Sequence, residues 1–278
     1  MKRFWFISAA VSAFLLSAWP VYGARAQAVS GPQPHAQSHQ ELEDYRAASA
    51  VSGGAALEQA AAAFAGKYPQ SELRTHLFSR AMREYQRENN PGGVLNAGQE
   101  ILAIDANDPL ALVLTSTVMA DSLAPDDADR DRKINAIKRN IDRFMQILKA
   151  SPAPGGMAQE QTSLYKSTLE SMAYGTLGLM RLKTGDYADA ERDLKTAVEH
   201  SAAQPDPFVW YHLALAQDHR KKYPAALNSV EQALQLASAS PELQKLAETE
   251  HERLVRLMGR TKQPAEGESP PPQHVPNL

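Results

Sequence analysis

The chain has 278 residues, a formal net charge of −3 and no cysteine. Without Cys it can form no disulfide, no zinc–thiolate site, no thiol nucleophile and no acylated lipoprotein anchor. Alanine supplies 45 residues and aromatics only 7 % of the chain, a balance that favours helices and speaks against a β-sandwich or barrel.

The first segment has the order of an export signal. Lys2 and Arg3 give a positive start, Phe4 to Val21 is almost free of charge, and Ala24-Arg25-Ala26 places small residues where a signal peptidase reads. Residues 1–26 are therefore expected to be a signal peptide, and the chain to be exported, periplasmic or secreted. An uncleaved N-terminal anchor is the rival, and only in that case is a membrane a partner. Removing Lys2, Arg3 and Arg25 leaves 26 basic against 32 acidic residues, with no basic stripe, so nucleic acid is not an expected partner. Residues 27–40 are polar and hold Pro and Gly, as a flexible leader would. From Thr261 the sequence TKQPAEGESPPPQHVPNL carries five Pro and almost nothing apolar, and 260–278 is expected to be a disordered, Pro-rich tail.

Between these ends, residues 41–259 alternate apolar-periodic stretches with breakers: Gly53-Gly54, Pro69, Pro91-Gly92-Gly93, Pro109, Pro125, Pro152 to Gly156, Gly185-Asp186, Pro205, Pro224 and Pro241. Apolar residues recur at three and four, as in Ile134, Ile137, Ile141, Phe144 and Leu148, and no period-two stretch interrupts them. The domain reads as all-α.

An internal repeat organises it. Tyr174-x2-Leu177-Gly178 precedes Gly185-Asp186-Tyr187 and Ala190-x3-Leu194-x2-Ala197. Thirty-six residues on come Trp210-x2-Leu213-Ala214, Tyr223 and Ala226-x3-Val230-x2-Ala233-Leu234. Large residues at some positions and Gly or Ala at others let two helices approach closely. The pattern resembles the tetratricopeptide repeat (TPR), a helix–turn–helix of about 34 residues. A degenerate copy spans Phe78, Ala81, Met82 and Tyr85, then Ile101 to Pro109. Ala55–Tyr68 resembles a lone second helix, Leu112–Met119 begins another first helix with 126–150 as its partner, and 242–259 fits a terminal capping helix. The resemblance implies a right-handed superhelix of stacked hairpins.

Sequence motifs for chemistry fail on spacing. Ser163-x-x-Lys166 and Lys183-Thr184-Gly185 mimic serine hydrolase signatures, but they lie in a helical region and lack S-D-N. Asp127-x-Asp129-x-Asp131 begins like a calcium loop, yet Arg132 and Lys138 stand where Gly and Glu are needed. There is no H-E-x-x-H and no phosphate-cradling Gly loop. No metal, cofactor or catalytic residue is expected, and the chain is not expected to be an enzyme.

What remains is what the resemblance implies: binding of another protein or peptide in the concave face lined by the first helix of each hairpin. The groove positions are His76, Ser79, Arg83, Gln86 and Arg87; Met172, Gly175, Leu179, Leu182 and Lys183; and Phe208, Tyr211, Leu215, Asp218 and His219. A basic end, an apolar middle and an aromatic end would suit an extended peptide or helix with apolar anchors and a negative group near Arg83 and Arg87. Leu179, Leu182 and Phe208 could equally be core. The carboxylate clamp of some TPR domains is not supported, because Ser79 and Arg83 stand where Lys and Asn are required. The alternative function is a structural subunit of an envelope complex, docked through its convex face or capping helix.

Overall fold

A computed structural model describes residues 35–150, 159–201 and 203–262. The expected signal peptide, most of the expected leader and nearly all of the Pro-rich tail lie outside the described residues. No described helix is long and apolar enough to cross a membrane.

The described chain is all-α, with eleven helices and one 3-10 turn. They are α1 (His39–Ser49), α2 (Gly54–Lys67), α3 (Leu73–Arg87), α4 (Pro91–Ile104), α5 (Pro109–Ser122), α6 (Arg130–Ala150), α7 (Gln159–Thr184), α8 (Tyr187–His200), α9 (Pro207–His219), α10 (Tyr223–Leu236) and α11 (Pro241–Lys262). Each helix packs on the next in sequence: α1 on α2, α3 on α4, α5 on α6, α7 on α8, α9 on α10, and α10 on α11. Successive hairpins also touch, through α2 on α3, α4 on α5, α6 on α7 and α8 on α9. This is a stack of TPR-like helical hairpins, in which each unit buries its apolar face on its neighbours.

The breakers act as the sequence suggests. Pro91, Pro109 and Pro207 stand in the first turn of their helices, where the missing N–H removes nothing. Asn90, Asp108, Asp186 and Asp206 each accept a hydrogen bond from a first-turn N–H of the helix that follows. Gly185 has φ +85°, a left-handed turn that L side chains rarely adopt, and it reverses the chain between α7 and α8. Of the acids after Pro125, Asp126, Asp127 and Asp129 sit ahead of α6 and Asp131 lies in its first turn, and Lys133 and Arg132 pair with Asp127 and Asp129.

The repeat positions are packing positions. Ala190, Leu194, Ala197, Leu213, Ala214, Ala226, Val230 and Ala233 are all buried. At Gly178 a Cβ would lie 2.5 Å from Leu194, so α7 and α8 meet at a distance only glycine allows. The degenerate copy uses the same device differently. Tyr85 of α3 lies between Gly54 of α2 and Gly93 of α4, and a Cβ on either glycine would collide with its ring at 2.2–2.8 Å. Val94 and Gly98, the departures from the repeat pattern, are both buried, and a Cβ at Gly98 would lie 2.3 Å from Thr115 of α5.

Two features exceed the sequence expectation. The lone second helix α2 has a partner, α1, which begins inside the expected leader; Ser38 caps it through Glu41 N–H. α7 is 26 residues long, so it extends about three turns ahead of its repeat register.

Candidate functional site: a cavity between two first helices

The first helices of successive hairpins are α1, α3, α5, α7 and α9. α1 packs on α3, α5 on α7 and α7 on α9, but α3 and α5 do not pack closely. α5 buries eight residues, Thr115 and Ser116 among them, and packs on α4, α6 and α7. The gap left between α3 and α5 is a cavity of about 610 Å³.

Its walls differ in chemistry. α3 contributes Thr75, His76, Ser79, Arg80 and Arg83. Across from it stand Asp108, Pro109 and Leu110 at the start of α5, and Tyr165, Leu169 and Met172 from α7, with Tyr45 of α1 completing the lining. The long N-terminal part of α7 therefore supplies much of the apolar wall. It forms because no Pro interrupts Gln159–Thr184, and Tyr165, Leu169 and Met172 repeat at four and three on one face.

Charge is concentrated on the α3 wall. Burial, and then the neighbouring charges of Arg80 and Arg87, push the Arg83 guanidinium below its ordinary value, with Glu84 acting the other way. Partial desolvation and then Arg83 lower His76. Burial raises the Asp108 carboxyl, and its Oδ1 accepts the Ala111 N–H at 2.8 Å, so this acid caps α5. One turn beyond Arg83, Gln86 is 7 % exposed and its Nε2 has no acceptor.

The remaining groove positions fall elsewhere. Arg87 is exposed and pairs with Glu84 of its own helix. Leu179 is buried, and Leu182 is half-buried against the next core cluster. Lys183 donates to the Asp121 carbonyl and lies 3.6 Å from the Asp121 carboxylate, tying α7 to α5. Phe208 is 5 % exposed and packs with Ala237 and Leu243 at the capping end. Tyr211 is half-buried between the two terminal clusters. Leu215 is half-buried. Asp218 is held 2.5 Å from Arg253 of α11. His219 stacks on Tyr187 of α8, 4.1 Å between centroids and 3° between planes.

Between α5, α7 and α9 lies a cleft of about 60 Å³, bordered by Gly175, Leu179, Phe208 and His212. Burial, with Lys183 adding to it, pushes His212 down to about 4, which marks a neutral packed histidine. The groove positions thus separate. His76, Ser79, Arg83 and Met172 converge on the large cavity, while the apolar middle and aromatic end are largely used in packing. Arg80, Tyr165 and Leu169 also line the cavity, and the repeat register does not flag them. The spacing of Tyr165, Leu169 and Met172 is the sequence signal that could have.

Among the described residues no group of three or more His, Asp or Glu is placed to hold a metal ion. The fold and this cavity define an all-α, TPR-like helical repeat protein with a ligand-sized opening on its first-helix face. No family model matches the chain, and no curated protein matches it. Among solved structures, the chain is similar to "MamA 41-end from Desulfovibrio magneticus RS-1", at 16 % identity and a TM-score of 0.36, over 68 % of this chain and 97 % of that one. A structure titled "Crystal structure of MamA protein" gives 14 % identity and a TM-score of 0.38, over 70 % and 98 % of the two chains. The functional reading therefore rests on this chain's own geometry.

Proposed function

We propose that this chain is an exported, non-enzymatic scaffold that binds another protein through its concave face, at the cavity between α3 and α5. The observation that carries the reading is the cavity itself. At about 610 Å³ it is ten times the volume of the cleft farther along the same face. One cationic wall and one apolar wall give it both an orienting and an anchoring surface. Export rests on the order of charge, apolar run and small residues in 1–26.

The test is co-purification from an envelope extract with the full chain as bait, beside Leu169→Arg in the cavity and Leu215→Arg on the later groove. The reading expects a partner retained by the parent and by Leu215→Arg but lost by Leu169→Arg. A second reading, docking through the capping helix, is favoured by one feature: α11 exposes Leu246 at 37 % and Val255 at 47 %. Loss of the partner on Val255→Glu with retention by Leu169→Arg would select it.

A further inference from the structure

We infer that the outer face of α6 is an electrostatic docking surface for a membrane rich in anionic phospholipid headgroups. The inference goes beyond the groove reading above and does not depend on it, because no α6 residue lines the cavity or the cleft.

α6 holds seven Lys and Arg against two Asp in 21 residues. Its apolar side, Ile137, Ile141, Phe144 and Leu148, is buried in the core, so the charges are turned outward. Two bases near its start serve the fold: Arg130 donates to the Lys183 carbonyl, and Lys133 pairs with Asp127. Five others are exposed, namely Arg132, Lys138, Arg139, Arg143 and Lys149, beside the exposed acids Asp131 and Asp142. Arg132 pairs with Asp129, and Arg143 Nε donates to Asn107 Oδ1 at 2.7 Å. Lys138, Arg139 and Lys149 have no ion-pair partner among the described residues. Arg132, Arg139 and Arg143 share one line along the helix, and Lys138 and Lys149 share another about a third of a turn away. The whole-chain totals of 29 bases and 32 acids conceal this band, and the expectation of no basic stripe does not hold on α6.

The chemistry of the band selects its occupant. Apart from the charged residues, α6 exposes only Asn135, Gln146 and the terminal Ala150. Protein interfaces centre on aromatic or aliphatic anchors, and single-stranded nucleic acid is held by aromatic stacking; this face offers neither. Headgroup phosphates require neither. Each cation within about 8–10 Å of an anionic surface adds to the attraction, and flexible Lys and Arg side chains reach a plane without a pocket. The helix runs for about 30 Å, so its cations are spread along a flat contact. With the apolar side of α6 consumed by the core, the contact is peripheral and sensitive to salt.

The experiment is flotation of the full chain with vesicles of equal parts phosphatidylglycerol and phosphatidylcholine, beside vesicles of phosphatidylcholine alone. The triple variant K138Q/R139Q/K149Q removes three cations from the face. The control R87Q/K245Q/R256Q removes three exposed cations from other helices, and circular dichroism confirms that both are folded. The apolar run in 1–26 is common to all three proteins, so only differences between proteins and between vesicles are read. The parent should favour the anionic vesicles about tenfold or more, and lose that excess as salt rises from about 0.05 M to about 0.5 M. The α6 variant should lose the excess at low salt, and the control should keep most of it. No preference in the parent, or equal loss in the two variants, would overturn the inference. So would an α6 variant that floats like the parent. Absence of vesicle preference together with loss of a co-purified protein, or of poly-U binding, in the α6 variant would also overturn it, and would assign the face to that partner.

Discussion

The two halves of this array solve the same packing problem with different consequences. From α7 to α11 the repeat is regular, Gly178 admits Leu194, and the polar groups are spent on one another. Glu191 of α8 receives Lys195, Arg220 and Lys222, and Arg253 of α11 joins Glu250 to Asp218 of α9. From α1 to α6 the repeat is degenerate, Tyr85 is clasped by two glycines, and α3 stands off from α5. The regular half leaves a cleft of about 60 Å³, and the irregular half borders an opening of about 610 Å³. Repeat-consensus residues are those that close helix against helix, so the opening lies where the consensus is weakest.

The sharpest way to break this comparison is to damage one half and watch the other. Phe78 is 2 % exposed in the core behind the cavity. Phe78→Ala should destabilise the protein by about 3–5 kcal/mol, read by urea unfolding. Coupling in a stacked array runs mainly between neighbours, so amide hydrogen exchange should lose protection in α2–α5 before α9–α11. Uniform loss across all helices would mean that the two halves are one cooperative unit.

Gly178→Ala is the counterpart in the regular half. The added Cβ meets Leu194 at 2.5 Å, and overpacking of this kind costs about 1–3 kcal/mol. Partner retention in the co-purification should be unchanged. Loss of the partner would tie the cavity's shape to the α7–α8 contact.

Glu191 gives a pH test of the ion-pair network. Burial alone would raise its carboxyl, but hydrogen bonds and charge from Lys195 and Lys222 outweigh that and hold it at about 2 against an ordinary 4.5. A depressed carboxyl contributes stability that is present above its unfolded value and is lost as pH falls through its folded value. Stability should therefore decline between about pH 4.5 and about pH 2, beyond the decline in Glu191→Gln. At neutral pH that variant should be less stable than the parent by about 1–3 kcal/mol. Parallel curves for the two proteins would show that the three cations contribute nothing to folding.

The smallest expected effect is at Arg87. Arg87→Ala removes an exposed pair within one helix turn and should cost less than about 0.5 kcal/mol in urea unfolding, with partner retention in the co-purification unchanged. A larger loss would give this surface pair a structural role.

Much of the fold was legible because its signals are local. Pro in the first turn, Asn or Asp at the N-cap and Gly185 in the reverse turn are read one residue at a time. The pairing of 174–197 with 210–234 was legible because close helix packing needs small residues at fixed spacing. α1 was hidden: among its eleven residues only Glu41 is fully buried, so it has no strong apolar stripe. The extension of α7 was hidden by the repeat register itself, which starts counting near Ser171.

The site was legible only at its cationic end. His76, Ser79 and Arg83 follow from their places on α3, but the choice of Arg80 over Arg87 depends on which way the helix faces a gap. That gap is set by α5 packing on α4, α6 and α7, a long-range outcome that no window of sequence records. The packed fates of Leu179, Phe208, Lys183 and Asp218 have the same origin. Each is consumed by a helix from another hairpin or by the capping helix.

The most direct test of the account is site-specific photocrosslinking in the full chain, with a benzophenone amino acid placed at Ser79 in the cavity or at Leu215 on the later groove. The account predicts a discrete partner adduct from position 79 and none from position 215. An adduct from 215 with none from 79 would contradict it, and would return the binding face to the regular repeats.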